Sequence, residues 1–436
     1  MNNSDIPEQN GQRLARDIKF WGASFISLNS MIGAGIFALP AAVAVNAGAL
    51  SPWLFLIIGA LFTSIVLVFA ELASHFKETG GPVLYATETF GPLAGFNTGW
   101  LLFLSRMTAG AANTTVMVIY LGKIAPWLAQ GIGRALFITV LITGLTYANY
   151  RGVKDGVRTI GFFTIFKLTP LILMVLLGLA HVTPEHLLPT NMPTVDDFGG
   201  TALLIIYAFV GFEAASFTAG ETKDASKTLP KALVGTIIAT AALYFMIVLV
   251  FTSVLPNSDA QSTLSDVGMA LAGPIGALAL SLAAVFSIGG NLAANMLTVP
   301  RLPFSLAEHN LLPKWFSHVH RTHATPDKSV LFLGVLTLGF ALSGSFVWLA
   351  AASSLSRLIA YGICAAAIPV VRKRSKAMGL ETGFRLPFGL TIPAIALGLC
   401  VWMAVQASQK SWLTIGVLLA IGLLLYWIAA GRRKKA

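Results

Sequence analysis

The sequence predicts an all-α polytopic membrane protein of 12 transmembrane helices, with the first and sixth helices discontinuous. Three observations carry that expectation. Of the 436 residues, 56% are hydrophobic and 11% charged, against about 25% charged in a soluble domain. Apolar runs of about 20 residues, enough to cross a bilayer core, recur from end to end. Two of these runs carry glycines at their centres: Ser30–Pro40 (SMIGAGIFALP) and Ile205–Glu221 (IIYAFVGFEAASFTAGE).

In order, the expected spans lie near 20–45, 51–75, 91–122, 135–151, 157–181, 198–221, 230–255, 268–298, 328–344, 346–371, 389–408 and 411–430. The polar start, MNNSDIPEQNGQ, lacks the charged, apolar and small-residue pattern of a cleaved signal, so the first span is expected to be retained. With both ends cytoplasmic, inner segments hold 23 of the 29 Lys and Arg, and outer loops hold Lys123, Arg134 and Lys410. Arg106, Lys167 and Arg357 fall within spans. The basic excess is thus the positive-inside signal; a net charge of +11 sets orientation and does not call for nucleic acid. Cys364 and Cys400 both fall within spans and offer neither a disulfide framework nor metal spacing.

No stretch reads as a separate soluble domain. The inner stretch 301–328 holds four of the seven histidines, at irregular spacing, and reads as a solvated amphipathic loop helix. The expected organisation is a cytoplasmic tail over 1–19, a ten-helix core over 20–371, a loop with two peripheral helices over 372–430, and a basic tail over 431–436. The core divides into repeats of five spans, about 20–181 and 198–371. Five is odd, so the second repeat enters the membrane from the opposite side, as in transporters built of inverted repeats. The expected location is the cell membrane, the inner one in a bacterium, with lipid around a monomer or homodimer.

Glycine costs a helix roughly 1 kcal/mol relative to alanine. An interruption at mid-membrane also leaves N–H and C=O groups that cost several kcal/mol unless they line a cavity or meet a polar ligand. The half-helix ending near Met31–Ile32 offers carbonyls, and the one starting near Ala34–Ile36 offers amides. The second break, around Tyr207–Gly211, offers the same pair. An ammonium beside a carboxylate fits such a pair without a charged side chain. A lone glycine break is more often close helix packing; two breaks, one opening each repeat, point to a substrate site.

At these residues the chain resembles the amino acid–polyamine–organocation (APC) permeases along nearly its whole length. IGAGIFALPA looks like that family's unwound segment, with Ala34 where a serine is usual. ELASHFKETGGPVLYA (71–86), YAFVGFEAASFTAGETKDASKTLPKAL (207–233), LPFSLAEHNLLPKWFSHVHRTHATP (302–326) and FRLPFG (384–389) resemble later signatures in the same order. The resemblance implies a leucine-transporter-type core plus two peripheral helices, and amino acid transport by alternating access. It implies that Met31, Tyr207 and Val210 offer carbonyls to the ammonium, and that Ala34, Gly35 and Ile36 offer amides to the carboxylate. Ile32, Gly33 and Gly211 then form the breaks, Phe209 and Phe212 gate or shape the side-chain pocket, and Asn295 matches an aromatic gate of some relatives. A packing amide and packing aromatics are the plainer readings of these last three.

Intramembrane charges are costly and usually face a partner. Lys167 lies about ten residues into its span, roughly 15 Å from the inner end. The resemblance puts it where sodium-coupled relatives hold the ion, which implies sodium independence, with Lys167 a proton carrier or a fixed cationic strut. Glu213 lies just past the second break, and Arg106 is its expected partner in a pair that follows opening and closing. The role of Arg357 stays open. The expectation is a secondary transporter for a neutral L-amino acid, coupled to protons and using no cofactor or metal. The alternatives are an exchanger of cationic amino acids or polyamines and a transporter-like nutrient sensor. No zinc, serine–histidine or paired-aspartate arrangement in the spans suggests an enzyme, and no filter or run of arginines suggests a channel.

Overall fold

The computed structural model describes residues 17–76, 80–152, 156–188, 195–377 and 384–433. Of the tails expected over 1–19 and 431–436, residues 1–16 and 434–436, together with Lys77 and Lys154, lie outside these, and the side chain of Arg158 is likewise not described. Among the described residues every regular element is helical, and the only bridge is an isolated one between Ile18 and Thr222.

The first break yields α1 (Phe20–Met31) and α2 (Ala34–Ala47), followed by α3 (Ser51–His75) and the short α4 (Gly81–Phe90). Next come α5 (Pro92–Ile124), α6 (Gly131–Arg151), α7 (Gly156–Gly178) and the single turn α8 (Pro184–Leu187). The second broken span is α9 (Val195–Phe209) continued by a 3₁₀ segment, Phe212–Glu221. The chain goes on through α10 (Ala225–Val254), α11 (Leu264–Thr298), α12 (Arg301–Glu308), α13 (Asp327–Ser343), α14 (Phe346–Ala377), α15 (Thr391–Val405) and α16 (Gln409–Arg433). Among the described residues seven stretches are long and apolar enough to cross a bilayer, and Lys167–His181 and Thr391–Val405 are shorter apolar helices. α5 is 33 residues long but dense in small and polar residues and carries Arg106.

Three details differ from the expectation. The second half of the sixth span winds as a 3₁₀ helix, with Thr218 outside helical geometry. The eighth span does not run unbroken from 268: Ala272 and Gly273 (φ +62°) leave helical geometry just before Pro274. Leu264–Leu271 then folds back, with Ser265 Oγ donating to the Ala277 carbonyl at 3.0 Å. The 301–328 stretch is not one helix; it holds α12, a 3₁₀ turn at Lys314–Ser317 and irregular chain. There His318 Nδ1 pairs with Asp327 Oδ1 at 2.6 Å, and His320 stacks on His323.

The core is a bundle of long apolar helices. α3 lies along α10, α5 along α11 and α14, and α6 along α13. α1 runs beside the 3₁₀ segment and α2 beside α9. One end of the bundle is tied by a buried carboxylate. Glu71 accepts from Arg372 Nε and Nη2 at 2.6 and 2.7 Å, and from the Leu386 amide at 2.9 Å. This joins α3 to α14 and to the segment entering α15.

Candidate substrate site

The two broken helices run antiparallel with their breaks side by side. Ile18 and Glu221–Lys223 exchange backbone hydrogen bonds at one end, and Asn46 Nδ2 donates to Thr201 Oγ1 at the other. Between them Ser27 Oγ donates to the Phe212 carbonyl at 2.9 Å. Gly211 has φ +111°, and a β-carbon there would stand 2.7 Å from the Ser30 carbonyl oxygen. A β-carbon on Gly35 would stand 2.9 Å from Ala208 Cα. These glycines let backbone meet backbone: the amide end of α2 lies beside the carbonyl end of α9.

Beside the breaks is a cavity of about 180 Å³. Of the residues expected in the site, Met31, Gly33, Ala34, Gly35, Tyr207, Val210, Asn295 and Arg106 line it. Asn29, Ser30, Asn113, Asn291 and Arg357 join them. The cavity extends toward Ile26 and the exposed Thr298, whereas Asn113 and Tyr207 on its other side are buried. On that closed side Tyr207 Oη donates to Asn113 Oδ1 at 2.7 Å, and Asn113 Nδ2 donates to Asn291 Oδ1 at 2.9 Å. This chain links α9, α5 and α11.

Several expected residues lie elsewhere. Phe209 and Phe212 turn away from the cavity into an aromatic cluster with Phe62. Phe209 also meets Tyr244, and Phe212 meets Phe69 and Tyr361. That packing buries both rings fully. Asn295 lines the wall but gives its amide to the Arg106 carbonyl at 2.8 Å, the behaviour of a packing amide. Ile32 and Ile36 are fully buried off the cavity. The Met31 carbonyl accepts from the Gly33 amide at 2.9 Å, and Tyr244 Oη, with one proton to give, lies 3.2 Å from it and 3.1 Å from the Ala208 carbonyl.

Lys167 sits behind the first break, 1% exposed. Its Nζ donates to the carbonyls of Asn29 and Ile32 at 3.0 and 2.7 Å and to Asn29 Oδ1 at 2.8 Å. All three ammonium donors are therefore spent on the last turn of α1, where the orphan carbonyls and the negative end of the helix dipole lie.

Glu213 is fully buried. Its Oε2 accepts from the Gly211 amide at 3.0 Å and from Tyr361 Oη at 2.8 Å. Its Oε1 faces Arg106 Nη2 at 3.6 Å and Arg357 Nε at 3.7 Å. The expected Arg106 partner is present, and Arg357 stands on the same oxygen. Arg357 and Tyr361, four apart on α14, share one helix face, a spacing visible in the sequence. Asn113 and Asn291 were also visible there as polar residues inside apolar spans.

Comparison with known proteins agrees with this architecture. The family described as amino acid permease matches residues 18–429. The methylthioribose transporter of Bacillus subtilis (strain 168) is 26% identical over 443 residues, covering 97% of this chain and 95% of that protein. The branched-chain amino acid permease BcaP of the same organism is 27% identical, covering 97% and 94%. Its serine/threonine exchanger SteT is 27% identical, covering 98% and 99%. A match of that extent, on a bundle with several helices able to cross a bilayer, identifies a multi-pass membrane protein: the chain belongs to the amino acid permease family.

Proposed function

We propose that the protein is a secondary active transporter that moves an L-amino acid across the cell membrane by alternating access, independently of sodium and coupled to protons. The observation that carries this reading is the meeting of the two breaks at Ser30 and Gly211 beside a cavity walled by both. In this reading the amides of Ala34 and Gly35, which line the cavity as Ile36 does not, take the substrate carboxylate, and carbonyls at Tyr207 and Val210 take the ammonium. The fold is read as twelve spans, ten of them in two inverted repeats of the leucine-transporter type. Support comes from the pairing of four of the five first-repeat spans with a counterpart five spans later: α3 with α10, α5 with α11, α6 with α13, and the two broken helices with each other; the fifth, α7, packs on α11 and α10 instead.

Sodium independence rests on Lys167, whose fixed positive charge fills the end of α1 where a cation would otherwise sit. Glu213, between Arg106 and Arg357, is the proposed coupling carboxylate. The substrate side chain carries no positive charge, because two guanidiniums face the cavity and no carboxylate lines it among the described residues. The neutral class expected from the sequence satisfies that condition, and cationic amino acids and polyamines do not.

The test is uptake of a radiolabelled amino acid panel into proteoliposomes, with and without a proton gradient. Saturable uptake that rises with the gradient and ignores sodium is expected; failure to bind or move any amino acid overturns the reading. Counterflow in the same vesicles separates symport from the exchange named for SteT.

A further inference from the structure

The charge balance of the cavity narrows the substrate further, an inference that rests on the amino acid transport proposed above. Glu213 has committed Oε2 to the Gly211 amide and Tyr361. Only Oε1 remains for two arginines, and neither approaches within hydrogen-bond distance. Arg357 is 5% exposed and its Nε has no hydrogen-bond partner. Both guanidiniums line the cavity. Lys167, saturated by Asn29 and Ile32, contributes no acceptor. On the facing wall Asn291 has its oxygen occupied by Asn113 and presents its amide nitrogen near Gly33.

Two positive charges thus share one carboxylate beside the cavity, and the neutral groups on the wall do not change that sum: Asn291 presents its nitrogen and Asn295, its nitrogen spent on Arg106, its oxygen. An uncompensated charge inside a membrane protein is expensive and is normally paired. A zwitterionic head adds no net charge and leaves the surplus in place. A second substrate carboxylate removes it, and guanidinium is the cation best suited to grip a carboxylate through paired N–H donors.

We propose that the substrate is an acidic amino acid whose side-chain carboxylate is held by Arg357 and Arg106, beside Glu213 and not in place of it. The neutral class expected from the sequence counted Arg106 as the sole partner of Glu213; the second arginine on the same oxygen changes the sum. The backbone at the breaks recognises the head group, and the arginines set side-chain specificity.

The experiment is a competition panel on the full-length protein in proteoliposomes, with L-aspartate, L-glutamate, L-asparagine, L-glutamine, L-leucine and L-arginine against the labelled substrate that moves best. An acidic amino acid is expected to compete roughly tenfold or more better than its amide, because a site built for a polar group rejects the analogue lacking it. Ligand-induced thermal stabilisation in detergent provides a readout independent of transport. Arg357→Gln is expected to abolish the preference of acid over amide; a variant that keeps it overturns the assignment to Arg357. If that variant does not fold, the wild-type panel still decides: amide or aliphatic amino acids competing as well as the acidic ones overturns the proposal while leaving amino acid transport standing. Silence across the whole panel defeats both.

Discussion

Lys167 Nζ lies 2.7 Å from the carbonyl oxygen of Ile32, a residue 135 positions earlier, and so ties α7 to the first break. With two further bonds to Asn29, the lysine closes the carbonyl end of a half-helix that has no continuation to close it. Of the two roles open to it from the sequence, this geometry favours the strut.

Removing that strut strands several acceptors at once. Hydrogen bonds to a charged group contribute about 1.5–3 kcal/mol each. Lys167→Met is expected to lower the initial uptake rate in proteoliposomes at least tenfold, while Lys167→Gln, which keeps two donors, loses less. A methionine variant transporting at the wild-type rate would show that the first break holds its shape without the lysine.

Gly211 is constrained twice, by its left-handed backbone and by the Ser30 carbonyl against its α-carbon. Gly211→Ala adds a methyl group into that contact, and overpacking typically costs about 1–3 kcal/mol. A lower thermal unfolding temperature in detergent is expected, with loss of substrate-induced stabilisation. Gly416, with open space around it, serves as the control: Gly416→Ala should leave both unchanged.

The clamp between Glu71 and Arg372 makes a different kind of prediction. Glu71 is fully buried and its partner nearly so, so removing only one leaves an unpaired charge. Arg372→Met is expected to destabilise the protein by about 3–5 kcal/mol. Adding Glu71→Gln should recover part of that loss, a coupling that a double-mutant cycle measures by thermal unfolding. Strictly additive losses would mean the pair contributes nothing specific.

Much of the bundle was legible in the sequence because hydropathy and glycine placement are local signals. The span expected over 51–75 is α3 residue for residue, and the expected breaks lie within a residue or two of Ile32–Gly33 and Val210–Gly211. The site was less legible because it depends on which helix faces meet. Tyr361 is 148 positions from Glu213, and nothing along the chain says that its ring, and Arg357 one turn before it, point at that carboxylate. The position of Phe209 and Phe212 off the cavity wall was not legible for the same reason: an aromatic next to a break fits a cavity or a core equally well until the neighbouring faces, here Phe62 and Phe69, are placed. The fold-back at Gly273–Pro274 was signalled by a glycine–proline pair, but the apolar run on either side concealed it.

The chain Tyr207–Asn113–Asn291 closes the cavity on the side away from Thr298, and it is built of neutral hydrogen bonds that can exchange without moving a charge. Each such bond contributes about 0.5–1.5 kcal/mol net, enough to bias an access equilibrium without locking it. Tyr207→Phe keeps the ring and its edge contact with Phe346 but removes the hydroxyl that holds Asn113. The expected result is a roughly three- to tenfold rise in opening on that side. A cysteine at Ala109, on the cavity wall, reports it, since the native Cys364 and Cys400 are buried. In oriented vesicles an impermeant thiol reagent should label Ala109→Cys from one face only, and the added Tyr207→Phe change should bring labelling from the other face. Unchanged one-sided labelling, with uptake unaffected, would reduce the three residues to packing and leave closure of that side to the apolar contacts around Phe37 and Tyr120.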